Sequence, residues 1–158
     1  MDTQRSEDDV RSERRRLLLA AAAALLAATR MASARAAAPA ITVYKSPLCG
    51  CCGGWVDHMR RSGFDVRVNS VADATPYRER LGVPPALASC HTAEAGGYAI
   101  EGHVPAEDVR RLLRERPDAK GIAVPGMVPG SPGMDGPATA YASLLFDAQG
   151  RTRIFQRH

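Results

Sequence analysis

The chain has 158 residues, a formal charge of +4 at neutral pH, 45% apolar residues and only 5% aromatics. That length supports a single domain with a real core. Aromatics so few, with no stripe of basic residues between them, leave nothing to stack bases on and exclude a nucleic-acid binder. Of the 21 Lys and Arg, 7 lie in residues 1–38, as do 5 of the 17 Asp and Glu; residues 39–158 therefore carry a formal +2, and much of the basic character belongs to the N-terminus.

In chain order, Arg14-Arg15-Arg16 precede the Leu/Ala run from Leu17 to Ala28, and the small residues Ala32-Ser33-Ala34 and Ala36-Ala37-Ala38 follow. A basic stretch, a short apolar stretch and small residues make the pattern of an export signal. The 12 residues of the run fall short of the roughly 20 that span a bilayer. Glu13 to Leu18 resembles a twin-arginine signal. The expectation is a cleaved export signal over 1–38, a single domain over 39–158, a periplasmic location and no stable membrane span after processing.

Ala40 to Lys45 alternates as a first strand. Ser46-Pro47-Leu48 turns the chain into the cysteine run, and Cys52 to Arg61 predicts a helix with Trp55, Val56 and Met59 on its apolar side, stopped at Gly63. Phe64 to Val68 alternates as a second strand. Thr75 is placed to cap a helix with Pro76 at its first position and Gly82 at its end. A third strand region includes Ser89-Cys90-His91-Thr92, and Gly96-Gly97 suits a hairpin turn into Tyr98 to Glu101. Pro105 is placed as the first residue of a helix with Val109, Leu112 and Leu113 on its buried side and Pro117 beyond its end. The density of Gly and Pro over 118–141 excludes helix and central strand. Ala142 to Phe146 and Thr152 to Phe155, joined through Asp147 to Gly150, predict a terminal hairpin. This βαβαββα order is that of an α/β, thioredoxin-like domain, extended by a C-terminal Gly/Pro/Met loop and a β-hairpin. Pro84 precedes the third strand, where thioredoxin-like proteins hold a cis-proline.

The chemistry concentrates in Cys49-Gly50-Cys51-Cys52, at a strand-to-helix turn. A helix N-terminus favours thiolates through its unpaired N–H groups and positive dipole end. Three cysteines within four residues close almost no loop, so structural stapling is a poor account of them. Two chemistries fit. One is a redox-active Cys49/Cys52 dithiol, the catalytic pair of a thiol–disulfide oxidoreductase, although the spare Cys51 thiol invites reshuffling. The other is ligation of a thiophilic ion. Cu(I) prefers soft thiolate and thioether donors. Zinc accepts four cysteines, which would make a zinc-stabilised interaction domain, but C-x-C-C lacks the spacing of two separated pairs.

Cys90 is expected to reach the cluster if the fold is right, since an exported chain seldom keeps idle thiols. His91 is open between ligand and hydrogen-bonded structural residue. His103, just before a helix, is favoured for a site role. His58 is expected at the surface, and His158 as a frayed terminal residue. Met127 and Met134 sit in a loop with little core to fill, which suits a thioether role as well as the usual packing one.

Together these residues resemble a known family. Cys49-Gly50-Cys51-Cys52 with Trp55, Ser89-Cys90-His91-Thr92-Ala93, Gly97-Tyr98 through His103-Val104-Pro105, and Pro125-Gly126-Met127 with Gly130-Ser131-Pro132-Gly133-Met134 are similar to the periplasmic metal-binding family of the copper-resistance protein CopG. The likeness runs from about Ile41 to Phe155. It implies a thioredoxin-like fold, copper as the bound metal, and a role in copper resistance through Cu(I)/Cu(II) interconversion or delivery to copper efflux proteins. It implies Cys49, Cys51, Cys52 and Cys90 as thiolate ligands, with Met127, Met134 and His103 as accessory positions. Val128-Pro129 departs from the family's loop pattern.

Overall fold

The computed structural model describes residues 38–158. The expected export signal therefore lies, apart from Ala38, outside the described residues. Seven strands and three α-helices follow in the order β1 (Ala40–Lys45), α1 (Gly50–Arg61), β2 (Asp65–Ser70), α2 (Thr75–Arg80), a 3-10 turn at Pro85–Leu87, β3 (His91–Ala95), β4 (Tyr98–Glu101), α3 (Ala106–Glu115), β5 (Gly121–Ala123), β6 (Ala142–Phe146) and β7 (Thr152–Arg157). The strands form one sheet in the order β2-β1-β3-β4-β5-β6-β7. β1 pairs parallel with β2 and antiparallel with β3, and β3 pairs antiparallel with β4. β4 pairs parallel with β5, and β5, β6 and β7 continue antiparallel. The chain is thus of the α/β class, with the expected βαβαββα order followed by a terminal hairpin. No helix among the described residues is long and apolar enough to cross a membrane.

Strand alternation sorts the core into two layers. On one face Trp55, Val56 and Met59 of α1 and Val109 and Leu112 of α3 pack on Ile41, Val43, Ala93, Ile100, Ile122 and Leu145. Neighbours on the strands, Ala99, Ala123 and Phe146, turn to the other face and join Val83 and Leu87. α2 buries none of its residues. It is held instead by Tyr77 stacking on Tyr44, with ring centroids 4.2 Å apart.

Several boundaries differ from the sequence reading. α1 begins at Gly50 rather than Cys52, with Cys49 as its N-cap, so Cys51 and Cys52 lie in its first turn. Thr75 is the first helical residue of α2 and not its cap; its N–H is taken by Asp73 Oδ1 at 2.8 Å. Pro105 is the N-cap of α3 rather than its first residue. Among the described residues every peptide bond is trans, including that preceding Pro84, so the cis-proline of thioredoxin-like proteins is not found here.

The exclusion of a central strand from 118–141 is overturned by β5, which lies inside the sheet between β4 and β6. Gly121 makes this possible. A Cβ there would collide with the Ala99 carbonyl oxygen and lie 2.5 Å from Phe146 Cζ. A glycine within that Gly/Pro-rich span is what lets two neighbours close on it.

Candidate metal centre

Register brings the chemistry to one end of the sheet. Lys45, the last residue of β1, pairs with His91, the first of β3. Cys90 is therefore set beside the turn that leaves β1 for the cysteines. Glu101, the last residue of β4, pairs with Thr92, and Gly102 N–H donates to the His91 carbonyl at 3.1 Å. His103 follows at once, at the same end.

The sulfurs of Cys49, Cys51, Cys52 and Cys90 all lie within 4.8 Å of one another. Cys49 and Cys52 form a disulfide, while Cys51 and Cys90 are free thiols. The Cys51 Sγ is 3.5 Å from that of Cys49. Cys52 is buried and the other three are half-buried, so the cluster opens toward solvent on one side. Cys51 and Cys52 lie in the first turn of α1, where unpaired N–H groups and the positive dipole end favour negative charge.

A second donor group shares Cys90. Its Sγ lies 3.0 Å from His103 Nε2 and 3.5 Å from His91 Nδ1, and these three donor atoms also fall within 4.8 Å of one another. Both imidazoles are fully buried. His103 Nδ1 is 2.7 Å from the Pro132 carbonyl oxygen. A carbonyl only accepts, so Nδ1 carries the proton and the neutral ring leaves a lone pair at Nε2. The Cys90 thiol accordingly donates to that lone pair. The His91 ring leans on Trp55 with centroids 4.5 Å apart, and its Nε2 has no hydrogen-bond partner.

Burial sets the protonation of this end. It pushes the Cys90 thiol up to about 11, helped by the neighbouring Cys51. It drives His91 down to about 3, with the adjacent His103 ring and the positive charges of Lys45 and Arg78 acting the same way. His103 is lowered by burial, against the pull of its Pro132 bond. Neutral imidazoles and a protonated Cys90 thiol are the resting state, and a cation bound by Cys90 displaces that proton. A group of four sulfurs and a second group of two imidazole nitrogens, joined through Cys90, fit a thiophilic ion better than a hard one, which would want carboxylates and carbonyls.

The segment leading to Cys90 is clamped by a buried ion pair. Glu101 Oε1 accepts from Arg78 Nε at 2.8 Å and from Ser89 N–H at 2.6 Å, and Arg78 Nη2 donates to the Ser89 carbonyl at 2.7 Å. Both backbone groups of the residue before Cys90 are thereby held. Glu101 is fully buried, and burial raises its pKa against the lowering effect of the Ser89 N–H and Arg78. The Ser89 hydroxyl donates to the Gly126 carbonyl, and Gly126 N–H donates to the Ala88 carbonyl at 3.3 Å, fastening the Gly/Pro/Met loop beside Cys90.

The expected ligand set is thus brought together for Cys49, Cys51, Cys52, Cys90 and His103. Met127 follows the fastened Gly126 and is 60% exposed; Met134 is half-buried and follows Gly133, which packs on α1. His58 is half-buried, and its Nε2 accepts the Ala106 N–H at 3.2 Å, capping α3. His158, expected to fray, is instead held. Its Nε2 donates to Asp108 Oδ2 at 2.8 Å and its ring stacks on Tyr141. The sequence reading missed the Arg78–Glu101 clamp and the Pro132 carbonyl. An acid inside the otherwise apolar Tyr98 to Glu101 strand was the one signal for the clamp. A backbone carbonyl carries no sequence signal at all.

A family described as "Protein of unknown function, DUF411" matches residues 87–134, which hold Cys90, His91, His103 and the loop through Met134. Two solved structures are similar to this chain, "Copper resistance protein copG- Form 2" and its "Form 1", each at 41% identity. The first match covers 77% of this chain and 98% of the other, with a TM-score of 0.72; the second covers 75% and 96%, with 0.71. Nothing matches among curated proteins. The chain belongs to the family of the copper resistance protein CopG.

Proposed function

Starting from membership of the CopG family, we propose that this chain is an exported, periplasmic copper-binding protein of metal resistance. In its reduced form it holds Cu(I) through Cys49, Cys51, Cys52 and Cys90. His103 adds an imidazole nitrogen, and Met127 and Met134 are accessory thioethers on the loop fastened to both sides of the site. The observation that carries this reading is the approach of four sulfurs to within 4.8 Å, with Cys90 arriving from 38 residues beyond Cys52. Soft donors in that number suit Cu(I), and thioethers bind it without losing a proton. With Cys49 and Cys52 joined, two of the four thiolates are withheld; an external dithiol, itself oxidised to a disulfide, supplies the two electrons and two protons that convert the bond to the thiols that bind. Copper efflux or delivery proteins are the partners this cargo implies.

A second reading has its own support. The Cys49–Cys52 disulfide at a helix N-terminus, with the Cys51 sulfur 3.5 Å from Cys49, is the arrangement of a thiol–disulfide oxidoreductase. Anaerobic titration with Cu(I) of the reduced protein, its oxidised form and Cys51→Ser separates the two. Tight uptake by the reduced form alone, lost in Cys51→Ser, upholds copper binding. Disulfide reduction of a protein substrate that survives Cys51→Ser but not Cys49→Ser, with no tight copper, upholds the oxidoreductase instead.

A further inference from the structure

The loop between β5 and β6 is braced far more thoroughly than a connection between strands requires. The Ser131 hydroxyl donates to the Val128 carbonyl at 2.6 Å, Met134 N–H to the Ser131 carbonyl at 2.9 Å, and Thr139 Oγ1 to the Pro129 carbonyl at 3.1 Å. Ser131 is 1% exposed. Its neighbour Gly133 has φ +84, and a Cβ there would collide with the Trp55 backbone nitrogen and lie 2.8 Å from the Cys51 carbonyl oxygen. Gly54 faces it from α1, where an added Cβ would lie 3.0 Å from Gly133 Cα. Two glycines thus allow loop backbone to touch helix backbone in the cysteine turn itself. Directly before Gly133, Pro132 sends its carbonyl to His103 Nδ1 at 2.7 Å. The proline ring locks φ, which removes one freedom from the direction of that carbonyl.

We propose that this loop is the positioning element of the metal centre. The Pro132 carbonyl, seated by Gly133 on the first turn of α1, holds His103 as its Nδ1–H tautomer and keeps the Nε2 lone pair on the Cys90 sulfur. The inference rests on His103 acting as a ligand in the function proposed above. Its physical basis is that an imidazole offers a metal only its unprotonated nitrogen, and the partner of the other nitrogen decides which one that is. Ring rotation that turned Nδ1 away would cost a hydrogen bond in a buried site, where the freed polar groups find no water. Because the same loop residue pair touches both the His103 ring and the Cys51 carbonyl turn, the spacing between imidazole and thiols is set by one rigid piece of backbone. Gly133 and Pro132 are positioning residues; neither offers a side-chain donor to the metal.

The test begins with the reduced, metal-free full chain. Long-range proton–nitrogen NMR correlations of the histidine rings should show His103 in the Nδ1–H tautomer alone. In Gly133→Ala, and in the milder Ser131→Ala, the two tautomers should mix. On loading with Cu(I), X-ray absorption should then lose the imidazole scattering while its sulfur shell persists, and Cu(I) affinity should fall by roughly 10–100-fold, as for other outer partners of ligands. A protein that merely packs less well would not change tautomer. An Nε2–H tautomer in the unsubstituted chain overturns the proposal without any variant. So does Ser131→Ala, folded by its Trp55 fluorescence, that keeps both the tautomer and the imidazole scattering; this variant decides if Gly133→Ala does not fold. If the unsubstituted chain takes up no Cu(I), the copper reading falls. The tautomer, read without metal, still upholds or overturns the role of the loop.

Discussion

Two buried polar clusters lie at different places on this sheet, and they are built on opposite rules. At Asp108, the Oδ2 accepts from Ser143 Oγ at 2.5 Å and from His158 Nε2 at 2.8 Å, and His158 is further fixed by backbone bonds to Tyr141. Donors meet acceptors there, and the group is closed. Around Cys90, thiol sulfurs and imidazole nitrogens point at one another with more lone pairs than protons, and His91 Nε2 has no partner at all. Closed clusters of the first kind tie elements together. A cluster whose inward lone pairs outnumber its donors is open to a cation. Both clusters contain a histidine, so the difference lies in whether its partners close the group or leave it open.

That contrast can be broken by substitution at either place. The largest effect is expected for Arg78→Met, which leaves Glu101 buried without its counter-charge and frees the Ser89 carbonyl beside Cys90. Loss of one partner of such a pair costs about 3–5 kcal/mol, and denaturant unfolding should show it as a lowered midpoint. Arg78 is 12% exposed, so solvent does little to soften the loss. If Arg78→Met unfolds at the same denaturant concentration as the unsubstituted chain, the clamp is not a stability element.

A smaller effect, and the sharper one, comes from a crossed pair. Asp108→Leu should cost roughly 1–3 kcal/mol of stability, because it leaves buried donors on Ser143 and His158 unmet. Its copper uptake should be unchanged. Cys90→Ser should do the reverse, keeping the unfolding midpoint within about 1 kcal/mol, as a near-isosteric change at a half-buried site allows, while Cu(I) affinity falls. Equal losses of stability and of copper in both variants would show that the clusters are not separable.

The smallest expected effect concerns pH. Burial, helped by Arg61, lowers the pKa of His58 below its ordinary 6.5, and its unprotonated Nε2 caps α3. The unfolded chain then binds the proton more readily than the folded one. The contribution of His58 is fully present above pH 6.5 and is lost as pH falls through the window below it. His58→Gln keeps an acceptor for the Ala106 N–H but cannot titrate. Its stability should decline less than that of the unsubstituted chain between pH 7.5 and 5.5; parallel declines would remove His58 from the account.

Much of this architecture was legible along the chain because its signals are local. Trp55, Val56 and Met59 mark the buried side of α1 by helical spacing, and Gly96-Gly97 marks the β3–β4 turn. The Gly and Pro density over 118–141 misled, because Gly121 within it is the residue that fits where Ala99 and Phe146 crowd a central strand. His158 misled for a related reason. Position near the end of the sequence said nothing of the carboxylate waiting on α3, 50 residues away.

Sequence alone determined the clustered thiols of Cys49, Cys51 and Cys52, since three donors within four residues must be close in any fold, and it determined the α/β order of elements through their periodicities. Only the tertiary structure decided that the Cys90 sulfur comes within 4.8 Å of the other three, that His103 turns its Nε2 to the same sulfur, and that Arg78 bonds to the residue before Cys90 and the Pro132 carbonyl to His103. Those contacts depend on the antiparallel register of β1 with β3 and on a loop backbone resting against a helix. Both are long-range pairings in which the deciding atoms are often main-chain ones, identical in every residue and therefore silent in a sequence.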